Sequence, residues 1–360
     1  MFAFITLHLD TFTKPSLAMR QAMFDAEVGD DVYEEDPTVK KLQEKAASLL
    51  GKEAALFVTS GTMGNLIAIM NHCNVRSSEA YCGGESHTFL HEQGGAAQLA
   101  GVTLSTIPNN PDGTFDIKTL KNRLRSDRVH EPVSKLVLIE NTFNGKILPQ
   151  SWIEEVSVFA KKHNLKLHMD GARLWNASIG SNISAKEIVR SCDSVTFCLS
   201  KGLGAPAGSV LCGSKSFIDA ARIVRKVLGG GMRQVGILAA AGLVALNETV
   251  PILKDDHRRA YMIAEAINGL DSPVFWVDLK TTATNMVMVN INSEKITAQN
   301  FVDRLELVLD DVEDDKIIVR SLMMNSRLSR FVLHYDVDDE AVAKAVRKIS
   351  YVIKKLDGRI

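Results

Sequence analysis

Ser194-Val195-Thr196-Phe197-Cys198-Leu199 runs directly into Ser200-Lys201-Gly202-Leu203-Gly204. The first six residues are apolar or β-branched, too few for a buried helix, and closed by serine and glycine. That is the pattern of a strand buried on both faces. A lysine in a glycine-flanked turn at the carboxyl end of such a strand is unusual, because most lysines are solvated surface groups. The apolar run before it and the glycines around it predict a partly desolvated amine. Desolvation favours the neutral form and makes the amine a nucleophile able to form a Schiff base.

Working outward, similar short runs occur at 54–58, 135–140 (KLVLIE), 165–170 (LKLHMD) and 209–212, with helical patterns at 65–71 and 152–163. Strands separated by helix-length crossovers predict an α/β fold with a mostly parallel sheet between helices. Past residue 250 the pattern changes: helix over 251–270, strand over 285–291, helix over 298–309, strands over 316–320 and 330–335, helix over 340–355. We therefore expect a large domain over 1–250, including the amino-terminal segment, and a small α+β domain over 251–360.

In open α/β sheets, ligands bind beyond the carboxyl ends of the strands. Four segments qualify. Ser60-Gly61-Thr62-Met63-Gly64-Asn65 joins a strand end to a helix start, whose free amides suit a phosphate; alone it reads equally as a capped helix. Asp170-Gly171-Ala172-Arg173 ends a strand with a carboxylate, which could simply cap the next turn. Lys201 is the third. Gly229-Gly230-Gly231-Met232-Arg233-Gln234 offers pliable backbone and a bidentate anion contact, or an ordinary surface loop. Together, a phosphate cradle, a carboxylate and a lysine 31 residues after it (201 − 170) fit pyridoxal 5'-phosphate. That cofactor needs a Schiff-base lysine, an acid at its pyridine nitrogen and a phosphate cup.

Composition narrows the function classes. The 360 residues carry 42 Lys and Arg against 43 Asp and Glu, a net charge of −1, without the basic balance of a nucleic-acid binder. Hydrophobic residues are 46% and charged residues 24%, which excludes wholesale disorder. No apolar run reaches the roughly 18 residues expected of a membrane span. The opening MFAFITLHLD lacks a basic start and cleavage site, so it reads as an extended structural segment. Five cysteines without a CxxC pair predict reduced thiols and a cytoplasmic location.

The chain also resembles the low-specificity L-threonine aldolases, a branch of the fold-type-I pyridoxal-phosphate enzymes. The similar segments are GDDVYEEDPTV (29–39), SGTMGN (60–65), ESHTFLHEQGG (85–95), ENTFNGKILP (140–149), LHMDGARLWNA (167–177), CLSKGLGAPAGS (198–209), RKVLGGGMRQ (225–234) and RFVLHYDV (330–337). They cover nearly the whole chain in the family's order. The resemblance implies that Lys201 carries the cofactor, Asp170 partners its pyridine nitrogen and Gly61 and Thr62 hold its phosphate. His87 would stack on the ring and handle the substrate hydroxyl. Arg173 and Arg330 would take the substrate carboxylate. Tyr33, Lys226 and Arg233 would reach across a subunit interface, in a homodimer or homotetramer with shared active sites.

The resemblance has departures. Leu9 stands where the family has a carboxylate-binding serine, His8 where it has arginine, and Phe143 where it often has a histidine at the β-hydroxyl. These place three changed residues in the expected substrate shell. His91 and Glu92 read as packing and surface residues, and His72, His168 and His334 show no metal-ligand spacing, so no metal is expected. Met286 and Met288 alternate as core. The implied reaction is cleavage of L-threonine, L-allo-threonine and related β-hydroxy amino acids to glycine and an aldehyde. A racemase or dehydratase on the same cofactor, or a catalytically weak homologue, are the alternatives. The expected partner is an amino-acid substrate, with neither nucleic acid nor membrane.

Overall fold

The computed structural model describes residues 3–126, 128–308 and 316–360. In chain order the strands are β1 (Ala3–Thr6), β2 (Ala54–Val58), β3 (Ser78–Gly83), β4 (Thr103–Ile107), β5 (Val133–Glu140), β6 (Lys166–Asp170), β7 (Ser194–Cys198), β8 (Ser209–Gly213), β9 (Phe275–Val277), β10 (Met286–Ile291), β11 (Ile317–Arg320), β12 (Leu322–Asn325) and β13 (Leu328–Val332). The chain divides into two compact units, Pro15–Val250 and Met1–Lys14 with Pro251–Ile360.

In the first unit a seven-stranded sheet has the order β2-β8-β7-β6-β5-β3-β4. Only β8 runs against its neighbours; β3 to β7 are parallel. Strands β7 and β8 are buried throughout, as continuous apolar runs require. Helices follow the strands: Gly61–His72 after β2, Gln150–Lys162 after β5 and Leu174–Ser181 after β6. Consequently β2, β5, β6 and β7 all deliver their carboxyl ends to one edge.

Strands β3 and β4 escape the sequence pattern. In β3 the buried residues include Glu79, whose carboxylate takes both Nε and Nη2 of Arg125 at 2.7 and 2.9 Å and the Tyr81 hydroxyl at 2.8 Å. A buried charge satisfied in this way is tolerated, yet it breaks the apolar signal.

The second unit has a four-stranded antiparallel sheet, β12-β13-β10-β9, and the helices Leu253–Asn268, Ala298–Glu306 and Asp339–Leu356. The far end of the helix expected over 298–309 lies outside the described residues. The amino-terminal segment departs from expectation by joining this unit. β1 pairs in parallel with β11, Ala3 opposite Ile317 and Thr6 opposite Arg320. Leu7 donates its N–H to Arg320 O at 2.8 Å and accepts from Val332 N–H at 2.8 Å. Ile5 and Leu7 are buried in the same core as Phe275, Phe301 and Phe331. Backbone pairing and apolar burial together fix its place.

One expectation about apolar runs is also corrected. By length and composition alone the helical stretch Gly236–Asn268 could cross a membrane; half of its most apolar window is buried within the protein. Its Ala239, Ala240, Ala241 and Ala245 are core residues.

Candidate active site

The Gly61–His72 helix begins immediately after β2, and Ser60 caps it by accepting Met63 N–H at 3.1 Å. Gly61 is closely packed: a Cβ there would lie 3.0 Å from Cys198 Sγ, at the end of β7, and the sulfur would have to give. Gly64 is tighter still, since its Cβ would meet Thr196 Cγ2 at 2.6 Å. The helix start is thus pressed onto the sheet edge with its amides directed at the strand ends, a cradle for an anion.

Asp170 ends β6, only 4% exposed. Its Oδ1 accepts Ala172 N–H at 3.0 Å and its Oδ2 accepts from Asn65 Nδ2 at 2.8 Å. Lys201 follows β7 in the next turn. His87 opens the short helix His87–Leu90 after β3, and its backbone N–H is held by Glu140 Oε2 at the end of β5, at 2.8 Å. Gly61, Thr62, His87, Asp170 and Lys201 line one cavity of about 160 Å³ with Ser60, Asn65, Glu92, Ala172, Cys198 and Ser200. Five residues from four separate sequence segments meet there.

Glu92 corrects the sequence reading. It is buried, not a surface residue, and its Oε1 lies 3.0 Å from His87 Nδ1 and accepts from Asn65 Nδ2 at 2.9 Å. The hydrogen bond to Glu92 raises the His87 pKa above its ordinary value against the opposing effect of burial, with the Asp170 charge adding to the rise. Burial also raises Glu92. The Glu140 carboxyl is pushed up to about 7, by burial first and the nearby Asp170 charge second.

Ligand atoms of His87, Glu92 and Asp170 lie within 4.8 Å of one another, close enough to hold a cation. The Asn65 amide, however, directs its N–H groups at both carboxylates, putting donors where a cation would need acceptors. The cluster is built as a hydrogen-bond network.

The remaining expected residues sit elsewhere. Arg173 precedes the helix Leu174–Ser181, three residues beyond Asp170. Tyr33 and Arg233 form a second, exposed group: Arg233 pairs with Asp30 at 2.7 Å and lies 6.0 Å from the Tyr33 ring centroid, and Lys226 is exposed near the end of the helix that precedes the glycine loop. The glycine loop beside them abuts the active-site helix, since a Cβ on Gly230 would lie 2.6 Å from Met63 Sδ. Beneath it, buried Arg225 bonds Asp31 Oδ2 at 2.6 Å and Phe57 O at 2.7 Å.

Arg330 lies on β13 in the other unit, opposite Met288 and Leu322. His8 and Leu9 also belong to that unit. His8 Nδ1 is 3.1 Å from Ser321 O and its ring packs edge-on against Phe12. Phe143 is buried in a small cavity with Gly113, Phe115 and Trp152, which Ser86 and Glu140, the residues beside and holding His87, also line. Its ring fills the space a Gly113 side chain would need, so it serves packing.

Comparison with known proteins agrees with this geometry. The beta-eliminating lyase family model matches residues 6–294. Low-specificity L-threonine aldolase 1 of Arabidopsis thaliana is 43% identical over 339 residues, 92% of each chain. The low specificity L-threonine aldolase of Escherichia coli (strain K12) is 42% identical over 341 residues, 94% of this chain and 96% of that one. A structure of Leishmania major threonine aldolase superposes with a TM-score of 0.76 at 21% identity, covering 98% of this chain and 99% of that one.

Proposed function

This chain belongs to the beta-eliminating lyase family, within its low-specificity L-threonine aldolase branch, and from that premise we propose that it cleaves β-hydroxy amino acids, L-threonine and L-allo-threonine among them, into glycine and an aldehyde with pyridoxal 5'-phosphate. The observation that carries the proposal is the meeting of Lys201, Asp170, His87 and the Gly61–Thr62 helix start in one cavity. An amine, a buried carboxylate, a flat ring and a helix start closely packed at Gly61 are the groups this cofactor needs. When bound, the cofactor withdraws electrons from bonds at the substrate α-carbon.

The residues divide the remaining work. Lys201 would hold the cofactor, its amine being the group a Schiff base requires. Asp170 keeps the pyridine nitrogen protonated, because a nearby negative charge favours the charged form. The amides at Gly61 and Thr62 take the phosphate. His87 stacks on the ring; with Nδ1 engaged by Glu92, its Nε2 accepts the β-hydroxyl proton, directly or through water. Arg173 binds the substrate carboxylate.

Tyr33, Lys226 and Arg233 complete a neighbouring subunit's site in a homodimer or homotetramer. Supporting this, the same unit leaves Phe24 86%, Ile223 69% and Val227 75% exposed, apolar surface that a second copy would cover. The five free, buried cysteines support a cytoplasmic location.

The test is to incubate the purified protein with L-threonine and with L-allo-threonine and assay products. Glycine with acetaldehyde supports the proposal. 2-Oxobutyrate, an inverted amino acid, or no turnover would overturn it.

A further inference from the structure

Asn65 is 1% exposed and stands between two carboxylates. Its Nδ2 lies 2.8 Å from Asp170 Oδ2 and 2.9 Å from Glu92 Oε1, and its Oδ1 lies 3.1 Å from His168 Nε2. Ionised carboxylates only accept hydrogen bonds, so both amide hydrogens must face them, and Oδ1 must accept. His168 Nε2 therefore carries the proton.

The polarity continues outward. His168 is fully buried, and burial lowers its pKa to about 3, so it is neutral and its Nδ1 accepts. Ser194 Oγ, 2.8 Å away, donates to it and in turn accepts from His72 Nε2 at 2.7 Å. His72 is also held neutral, lowered by burial to about 4. The direction of every bond from His72 to the two carboxylates is thereby set by residues outside the cavity.

We propose that Asn65 is a positioning residue that assigns the two carboxylates separate tasks, Asp170 to the cofactor's ring nitrogen and Glu92 to His87, with His168 fixing its orientation. Two carboxylates this close oppose each other, and one shared donor group offsets that opposition. Without it, Asp170 would keep only the Ala172 N–H among these donors and would draw the proton from its ring partner more readily. This inference rests on the cofactor reading above.

The experiment uses holoenzyme loaded with pyridoxal phosphate labelled with 15N in the ring. Wild type should show a protonated ring nitrogen. Asn65→Leu, similar in volume but without a donor, should move that resonance toward the unprotonated range. Its kcat should fall roughly tenfold or more, the scale of losing a hydrogen bond to a charged group, with KM for threonine little changed. His168→Gln, which keeps a donor to Asn65, should retain the wild-type resonance; His168→Leu should shift it. Should Asn65→Leu not fold, 15N-histidine spectra of wild-type apoprotein at pH 7 decide: a neutral Nε2–H tautomer at His168 supports the proposal, and an Nδ1–H tautomer overturns it. A protonated ring in wild type that stays protonated in Asn65→Leu defeats this inference alone. A wild type that takes up no labelled cofactor defeats the cofactor reading and this inference with it.

Discussion

Removing one member of the Arg225–Asp31 pair should destabilise the protein by an amount that depends on which member goes. Both residues are 2% exposed, with Nη2 and Oδ2 at 2.6 Å and the second guanidinium nitrogen on Phe57 O at 2.7 Å. Breaking a buried pair typically costs about 3–5 kcal/mol, because the survivor is left charged and unpaired. Arg225→Met strands Asp31, but Arg222 Nη1 is already 3.7 Å from Asp31 Oδ1, and a stranded carboxylate can take up a proton. We expect the lower figure, about 3 kcal/mol. Asp31→Leu strands a guanidinium that cannot discharge itself, so we expect the upper figure, about 5 kcal/mol. For a unit of this size each kcal/mol moves Tm by roughly 2–4 °C, giving about 6–12 °C and 10–20 °C respectively. The double variant replaces both charges with apolar groups and should lose less than Asp31→Leu alone. Thermal and urea unfolding followed by circular dichroism would measure all three. A double variant as unstable as the sum of the singles, or Arg225→Met worse than Asp31→Leu, would refute the reasoning.

Lys201→Ala should abolish covalent cofactor retention, seen as loss of visible absorbance and of the mass adduct after borohydride; a variant that keeps both removes Lys201 from its role. Asp170→Asn should fold normally but lose most turnover, which circular dichroism and product assays would separate; a near-normal rate contradicts it. Glu92→Gln should lower the pKa of His87, since the hydrogen bond that His87 donates to Glu92 is the chief cause of its rise, and so move the acid limb of the rate profile to lower pH. An unmoved limb would show that His87 is not the group titrating. Because the folded-state pKa of His168 is depressed to about 3, its stabilising contribution is present above about 6.5 and is lost as pH falls. At pH 5 that loss is about 2 kcal/mol. His168→Gln should therefore lose less stability than wild type between pH 7 and pH 5, measured from urea midpoints; equal losses would mean that His168 ionises readily in the folded state.

Lys201 and Asp170 were legible because each ends an apolar strand, and the ends of parallel strands share one edge. Their meeting at one edge could be read from local sequence plus one topological rule. Glu92 was not, because nothing in HTFLHEQ separates a charge on the surface from one folded back under His87; only the path of the chain after β3 decides it. Asn65 was quoted within its motif, but its partners lie 27 and 105 residues away, beyond any periodicity. β3 was hidden because Glu79, Tyr81 and Arg125 satisfy one another across the fold. Phe143 packs against Gly113, a contact that its own motif does not announce. The segment 1–14 was grouped with its sequence neighbours, while its backbone hydrogen bonds lie with strands near the other end of the chain.

That last arrangement has a consequence for synthesis. β1 leaves the ribosome well before its partner β11, which begins at Ile317, about 310 residues later. At ordinary elongation rates of about 5–20 residues per second, that is roughly 15–60 s. During that interval the unit spanning Pro15–Val250 can form from contiguous chain, while Ile5 and Leu7 have no core to enter. The sheet built from β10, β12 and β13 closes last, and only the growing chain's final third supplies it. A molecule whose β1 is captured only when β11 arrives is committed late, and any copy halted before β11 carries an unpaired apolar strand as a mark of being unfinished.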